Sequence, residues 1–139
     1  MTRITFGSIE TVTFPDYNHV EVIAKVDTGA WTGALHCTDI QESNNELSFK
    51  LLGESERFVA RGEYEKRTVK SASGHTHDRY IIPICIAIKG KTYHTTVGLT
   101  DRSTMQREML LGRKFLIENN VLVDVLLTIN EDHEAEKFL

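Results

Sequence analysis

Hydrophobic and polar positions alternate in strand fashion from residue 4 to residue 26, with Val12 and Phe14 before a turn and Val20, Val22 and Val26 after it. Pro15-Asp16-Tyr17-Asn18 supplies that turn, so the segment predicts a β-hairpin. Residues 35–40 and 47–52 predict two more strands, joined by the polar run Gln41-Glu42-Ser43-Asn44-Asn45. Residues 58–71 are rich in charge yet still alternate, with Phe58, Ala60 and Val69 set against Arg61, Arg67 and Lys70, which predicts one solvent-exposed strand. Residues 80–88 and 92–99 are β-branched and flank Lys89-Gly90-Lys91, predicting a further hairpin. Helical spacing is confined to residues 113–119, where Phe115 and Leu116 share a side; Asn119-Asn120 then offers a stop before a closing strand over residues 121–129. The pattern is all-β with one short helix.

Composition narrows the class. A chain of 139 residues with 40% hydrophobic and 26% charged residues predicts one globular domain over residues 1–130, with residues 131–139 as a charged tail. The formal charge of -4 gives no general affinity for nucleic acid. The apolar run over residues 121–127 is broken by Asp124 and falls far short of a bilayer span, and the N-terminus has no signal-peptide pattern, so no membrane association and a cytoplasmic location are expected. Two cysteines, Cys37 and Cys85, cannot make a disulfide framework and are expected to be buried and inert.

One acid stands in an unusual place. Ala24-Lys25-Val26-Asp27-Thr28-Gly29-Ala30 puts a carboxylate directly after a hydrophobic strand and inside a turn of small residues. Asp at a strand end is costly unless its oxygens find donors, and Gly29 permits a tight turn whose N–H groups can provide them. Thr28 adds a hydroxyl to fix the loop, and Ala30 keeps the approach narrow. Taken alone, an Asp-Thr-Gly turn fits a structural turn equally well. A second element lies far downstream, where Leu110-Leu111-Gly112-Arg113 runs two apolar residues into a glycine at the start of the helix.

The two elements together, in this order, resemble the retroviral-type aspartic proteases. That resemblance implies a retropepsin-like closed β-barrel, Asp27 as the catalytic carboxylate, Thr28, Gly29 and Ala30 as its loop, and Leu110, Leu111 and Gly112 as structural support. A narrower resemblance covers residues 25–36, 67–74 with Arg79, 99–105 with Asp101-Arg102-Ser103, and 110–116. These segments are similar to a bacterial and archaeal family labelled ATP-dependent zinc proteases, linked with ATP-grasp glutamate ligases that modify ribosomal protein. Neither a His-Glu-x-x-His helix nor a phosphate-binding glycine loop is present to match that label.

Aspartic proteolysis needs two carboxylates sharing one proton, and the chain has one Asp-Thr-Gly. A homodimer with Asp27 from each subunit at the two-fold axis completes the pair, and no cofactor is implied. Residues 70–77, small and polar between two strands, are the most flap-like segment; a plain hairpin turn is the alternative. The retroviral pattern commonly has an acid at the position of Trp31, as partner of the arginine after the helix glycine. Arg113 is thereby expected to be available for a substrate carboxylate or for Asp124. With Arg102, Lys70, Arg79, Ser73 and Gly74 it forms the predicted substrate-binding set, within a basic cleft that also takes in Arg57, Arg61, Lys66 and Arg67 and is directed at a peptide or protein substrate, with glutamate-rich tails as the expected class; solvated strand charges and a structural Arg113 are the alternative. Three other readings stay open at this point. Zinc held by His36, His75 and His77 would make a metallohydrolase; a nucleophile among Ser73, Ser103 and Cys37 would need a base, and His36 beside Cys37 points to the opposite face of a regular strand; and a dimeric peptide-binding module would keep the barrel without chemistry.

Overall fold

The computed structural model describes residues 3–70, 72–102 and 104–128. Eleven strands and one helix follow in order: β1 (Ile4–Phe6), β2 (Ile9–Phe14), β3 (Val20–Asp27), β4 (Gly33–Ser43), β5 (Glu46–Leu51), β6 (Arg57–Val59), β7 (Glu65–Lys70), β8 (Thr76–Ile88), β9 (Lys91–Thr100), β10 (Met109–Gly112), α1 (Arg113–Glu118) and β11 (Val121–Val123). No helix among the described residues is long and apolar enough to cross a membrane.

The β2–β3 hairpin forms where alternation predicts it. Val22, Ala24 and Val26 are buried while Glu21, Ile23 and Lys25 between them face outward. Its turn is closed by Tyr17 and His19, whose N–H groups both donate to the Phe14 carbonyl at 3.0 Å. The β8–β9 hairpin also forms as predicted, in unbroken register from Tyr80 with Leu99 to Ile88 with Lys91. The strand order β10-β3-β2-β8-β9-β4 closes on itself because β10 also pairs with β4, giving a closed six-stranded barrel with β5–β6 and β7 extending from it. Consecutive strands β3 and β4 each take β10 as a neighbour. β10 runs parallel to β3, with Gly112 beside Asp27, and antiparallel to β4, with Met109 beside Leu35.

The barrel interior is filled by Val12, Phe14, Leu35, Ile82, Ile86, Met109 and Leu111. Tyr93 and Phe115 meet edge to face at 5.3 Å between ring centres, and Phe6 lies 6.4 Å from each, which pins α1 and β1 against β9.

Three sequence expectations change. Residues 58–71 are not one strand: β6 pairs with β5 and β7 pairs with β8, and Gly62, with φ of +78°, lies between them. The left-handed conformation at Gly62 interrupts the extended chain, which alternation alone does not reveal. The polar run after residue 40 is mostly strand, because Asn44 and Asn45, at φ of 52° and 61°, make the whole turn. The closing strand stops at Val123, since the Asp124 side chain accepts from the Leu126 N–H at 3.0 Å and starts a turn. Ile129 and the charged tail over residues 131–139 lie outside the described residues.

Candidate active site

Asp27 is the last residue of β3, and its loop is held from behind by the chain that follows β10. The Asp27 Oδ1 accepts from the Gly29 N–H at 3.0 Å, and the Asp27 carbonyl accepts from the Ala30 N–H at 3.3 Å. These are the donors that a strand-end carboxylate requires. The first two N–H groups of α1 then bind the loop. Arg113 N–H donates to the Ala30 carbonyl at 2.7 Å, and Lys114 N–H to the Trp31 carbonyl at 3.0 Å. Gly112 caps α1 without a side chain, so loop carbonyls satisfy helix donors that a capping side chain would otherwise take. A Cβ at Gly112 would fall 2.6 Å from the Thr32 carbonyl carbon and the Trp31 oxygen, which explains why only glycine allows this approach. Leu111 is buried beside it, and Leu110 also pairs with β4.

Arg113 makes the structural contacts that the sequence left open as an alternative to substrate binding. Its Nη1 donates to the Thr28 carbonyl at 2.9 Å, and its guanidinium lies 5.4 Å from the centre of the Trp31 ring. Trp31 thus replaces an acid with a π face, and the arginine keeps a structural job.

A cleft of about 410 Å³ adjoins the loop. It is lined by residues 30–34 together with Arg67, Arg79 and Ile81 of the β7–β8 hairpin, and by Gly98 and Arg102. Arg67 and Arg79 are direct cross-strand partners, an arrangement of like charges that is unfavourable in an empty sheet. The Arg67 Nε is paired with Glu65 at 2.7 Å. Of the predicted substrate set, Arg79 and Arg102 reach this cleft. Lys70, Ser73 and Gly74 sit exposed at the hairpin tip and do not line it. Arg67, which the sequence also placed in a basic cleft, reaches it from β7.

A feature that sequence reasoning missed anchors the hairpin. Glu42 of β4 accepts from the Tyr64 hydroxyl at 2.5 Å, from Lys66 Nζ at 3.2 Å and from the Tyr80 hydroxyl at 3.4 Å. The Tyr64 hydroxyl first, then Lys66, hold the Glu42 carboxyl below its ordinary value. Lys66 also lies 3.6 Å from Asp78.

The proposed zinc ligands do not gather. His36 is buried and its Nδ1 accepts from the Arg102 N–H at 2.8 Å, whereas His75 and His77 are exposed on the hairpin. Among the described residues no three His, Cys, Asp or Glu side chains form a group that could hold a metal ion. Burial pushes the Cys37 thiol well above its ordinary value, so this cysteine is a poor nucleophile. Ser103 lies outside the described residues.

On another face, Thr28 and Arg113 border an apolar surface that includes Leu116, Ile117 and Leu122. Ile117 and Leu122 are 60% and 47% exposed, and Val125 and Leu126 beyond them are 64% and 67% exposed. An apolar surface this exposed beside the loop is a candidate contact surface.

Comparison with known proteins agrees with the geometry. A crystal structure of a Legionella pneumophila protein of unknown function superposes with a TM-score of 0.74 at 29% identity, covering 91% of this chain and 96% of the other. A Shewanella pealeana protein named as a probable alpha-L-glutamate ligase is 32% identical over 131 residues, and one of the same name from Parasynechococcus marenigrum is 34% identical over 134 residues. These alignments cover 88% and 89% of this chain but 28% of each relative. The sequence model of the RimB-like family, described as retropepsin-like aspartic endopeptidase RimB, matches residues 5–134. The chain belongs to this RimB-like, retropepsin-like family.

Proposed function

We propose that the chain is an aspartic peptidase that acts as a homodimer on acidic peptide segments. The observation that carries this reading is the Asp27 loop: a carboxylate at a strand end, held by the Gly29 N–H and braced by Gly112 and the N–H groups of Arg113 and Lys114, next to an open cleft. In the dimer the two Asp27 carboxyl groups share one proton, because neighbouring carboxylates cannot both ionise. The ionised one takes a proton from water as the water oxygen attacks the peptide carbonyl. The protonated one donates its proton to the carbonyl oxygen, giving a neutral tetrahedral intermediate. Collapse breaks the C–N bond as the protonated carboxyl gives its proton to the amide nitrogen and the other carboxylate takes one from a hydroxyl of the intermediate, which leaves an acid and an amine and returns the pair to its shared-proton state. The reaction as proposed uses no metal and no covalent adduct.

The apolar surface around Ile117 and Leu122 would be the dimer contact, since it borders Thr28 and would bring two loops together. The β7–β8 hairpin would be the flap, because Arg67, Arg79 and Ile81 line the cleft from it. Arg67, Arg79 and Arg102 favour an anionic chain. The names of the curated relatives fit this preference: a glutamate ligase makes acidic products, and a domain like this one accounts for 28% of those proteins. A functional link with an ATP-grasp ligase, and a cytoplasmic location, belong to the same proposal.

The test is cleavage of a glutamate-tailed peptide by the wild-type chain, Asp27→Asn and Leu122→Asp, with and without chelator. Expected are chelator-resistant cleavage by wild type, none by Asp27→Asn with the dimer intact, and none by Leu122→Asp, which sediments as a folded monomer. Chelator-sensitive cleavage that survives in Asp27→Asn would overturn the mechanism.

A further inference from the structure

Arg102 lines the cleft from the connection between β9 and β10, a segment without regular structure, and something must hold it there. His36 does so from the barrel wall. Its ring is 4% exposed, on β4 between the buried Leu35 and Cys37. An imidazole at such a position costs stability unless its nitrogens are used. Its Nδ1 accepts the Arg102 N–H at 2.8 Å, and the Asp101 carboxylate lies 3.7 Å from the same nitrogen. The same residue ties the far end of the connection, because the His36 N–H donates to the Glu108 carbonyl at 2.7 Å. Arg102 Nε in turn donates to the Arg107 carbonyl at 3.1 Å. Near Nε2 stands Gly53, where a Cβ would be 3.8 Å away, so the ring fills a snug place against the turn after β5.

We propose that His36 is a positioning residue, which sets Arg102 in the cleft by accepting its backbone N–H and so gives the cleft part of its selectivity for acidic chains. The proposal rests on the acidic-substrate reading of the cleft but not on turnover. A hydrophobic side chain would fill the same space in the barrel wall but could not accept the Arg102 N–H, leaving only the Arg102 carbonyl tied, to the Met105 N–H at 2.8 Å.

The experiment measures binding in the uncleaving Asp27→Asn chain, by fluorescence anisotropy, of a labelled oligoglutamate peptide and its oligoglutamine counterpart. His36→Leu is expected to weaken oligoglutamate binding about tenfold, the scale of one charged hydrogen bond, and to leave oligoglutamine binding unchanged. Arg102→Gln should give the same selective loss, and the double variant no more than either alone. His36→Asn, whose amide lies near the Nδ1 position, should keep the affinity, whereas His36→Gln, whose amide lies near Nε2, should lose it. That pair decides the matter if His36→Leu does not fold. Equal losses for both peptides, or equal affinities for the Asn and Gln variants, would overturn the positioning role. Failure of oligoglutamate to bind the parent chain would overturn it together with the acidic-substrate reading. Selective binding in a wild-type chain that cleaves nothing would overturn the peptidase reading alone.

Discussion

The guanidinium of Arg113 lies 5.4 Å from the centre of the Trp31 ring while it donates to the Thr28 carbonyl at 2.9 Å, so one side chain holds both flanks of the Asp27 loop. A cation over an exposed aromatic face contributes about 0.5–1 kcal/mol. Trp31→Ala is therefore expected to lower stability in urea unfolding by about that amount. Trp31→Asp, which offers the arginine a carboxylate instead, should recover it. A Trp31→Ala chain as stable as wild type would mean that the ring contact contributes nothing.

Two glycine substitutions should separate contact from backbone conformation. At Gly90, φ is +79° and a Cβ would meet nothing within 4 Å, so Gly90→Ala should cost about 1–2 kcal/mol from the left-handed backbone alone. At Gly112 the Cβ would press on the backbone of Trp31 and Thr32, which cannot move without opening the loop. Gly112→Ala should cost at least about 3 kcal/mol, and thermal unfolding of the two variants side by side checks the order.

The Glu42 cluster should make the β7–β8 hairpin sensitive to acid. Glu42 is held below its ordinary value in the folded chain, so its contribution is complete above the ordinary glutamate range and is lost as pH falls through the lowered value. Protection factors of the hairpin amides in hydrogen exchange should fall over that range in wild type. In Glu42→Gln they should be low already at neutral pH and change little with acid. Unchanged protection in both would show that the hairpin is held by its strand pairing alone.

Local patterns in the sequence carried much of this architecture. The β2–β3 and β8–β9 hairpins were legible because alternation and turn residues act between neighbours in the chain. The Asp27 loop and the Leu110-Leu111-Gly112 element were legible as motifs, but their contact was not spelled out by periodicity: four residues are too few to alternate, and β10 is defined by the two strands it joins. The partners of Arg113 are a ring and a carbonyl, which the pattern of acids along the chain does not reveal. Glu42 was passed over as turn material, although its carboxylate collects two tyrosines and a lysine from far along the chain. His36, a zinc ligand only in an alternative reading, spends its acceptor on a backbone N–H.

The placement of β10 also orders events in time. The contact from Arg113 to Thr28 spans 85 residues, and Gly112 meets Asp27 from a similar distance along the chain. Contacts of such separation form late, after the local hairpins have reduced the search. During synthesis the Asp27 turn leaves the ribosome long before its brace exists. An incomplete chain therefore carries the acid without the scaffold that aims it, and the loop is assembled only when the barrel closes around β10.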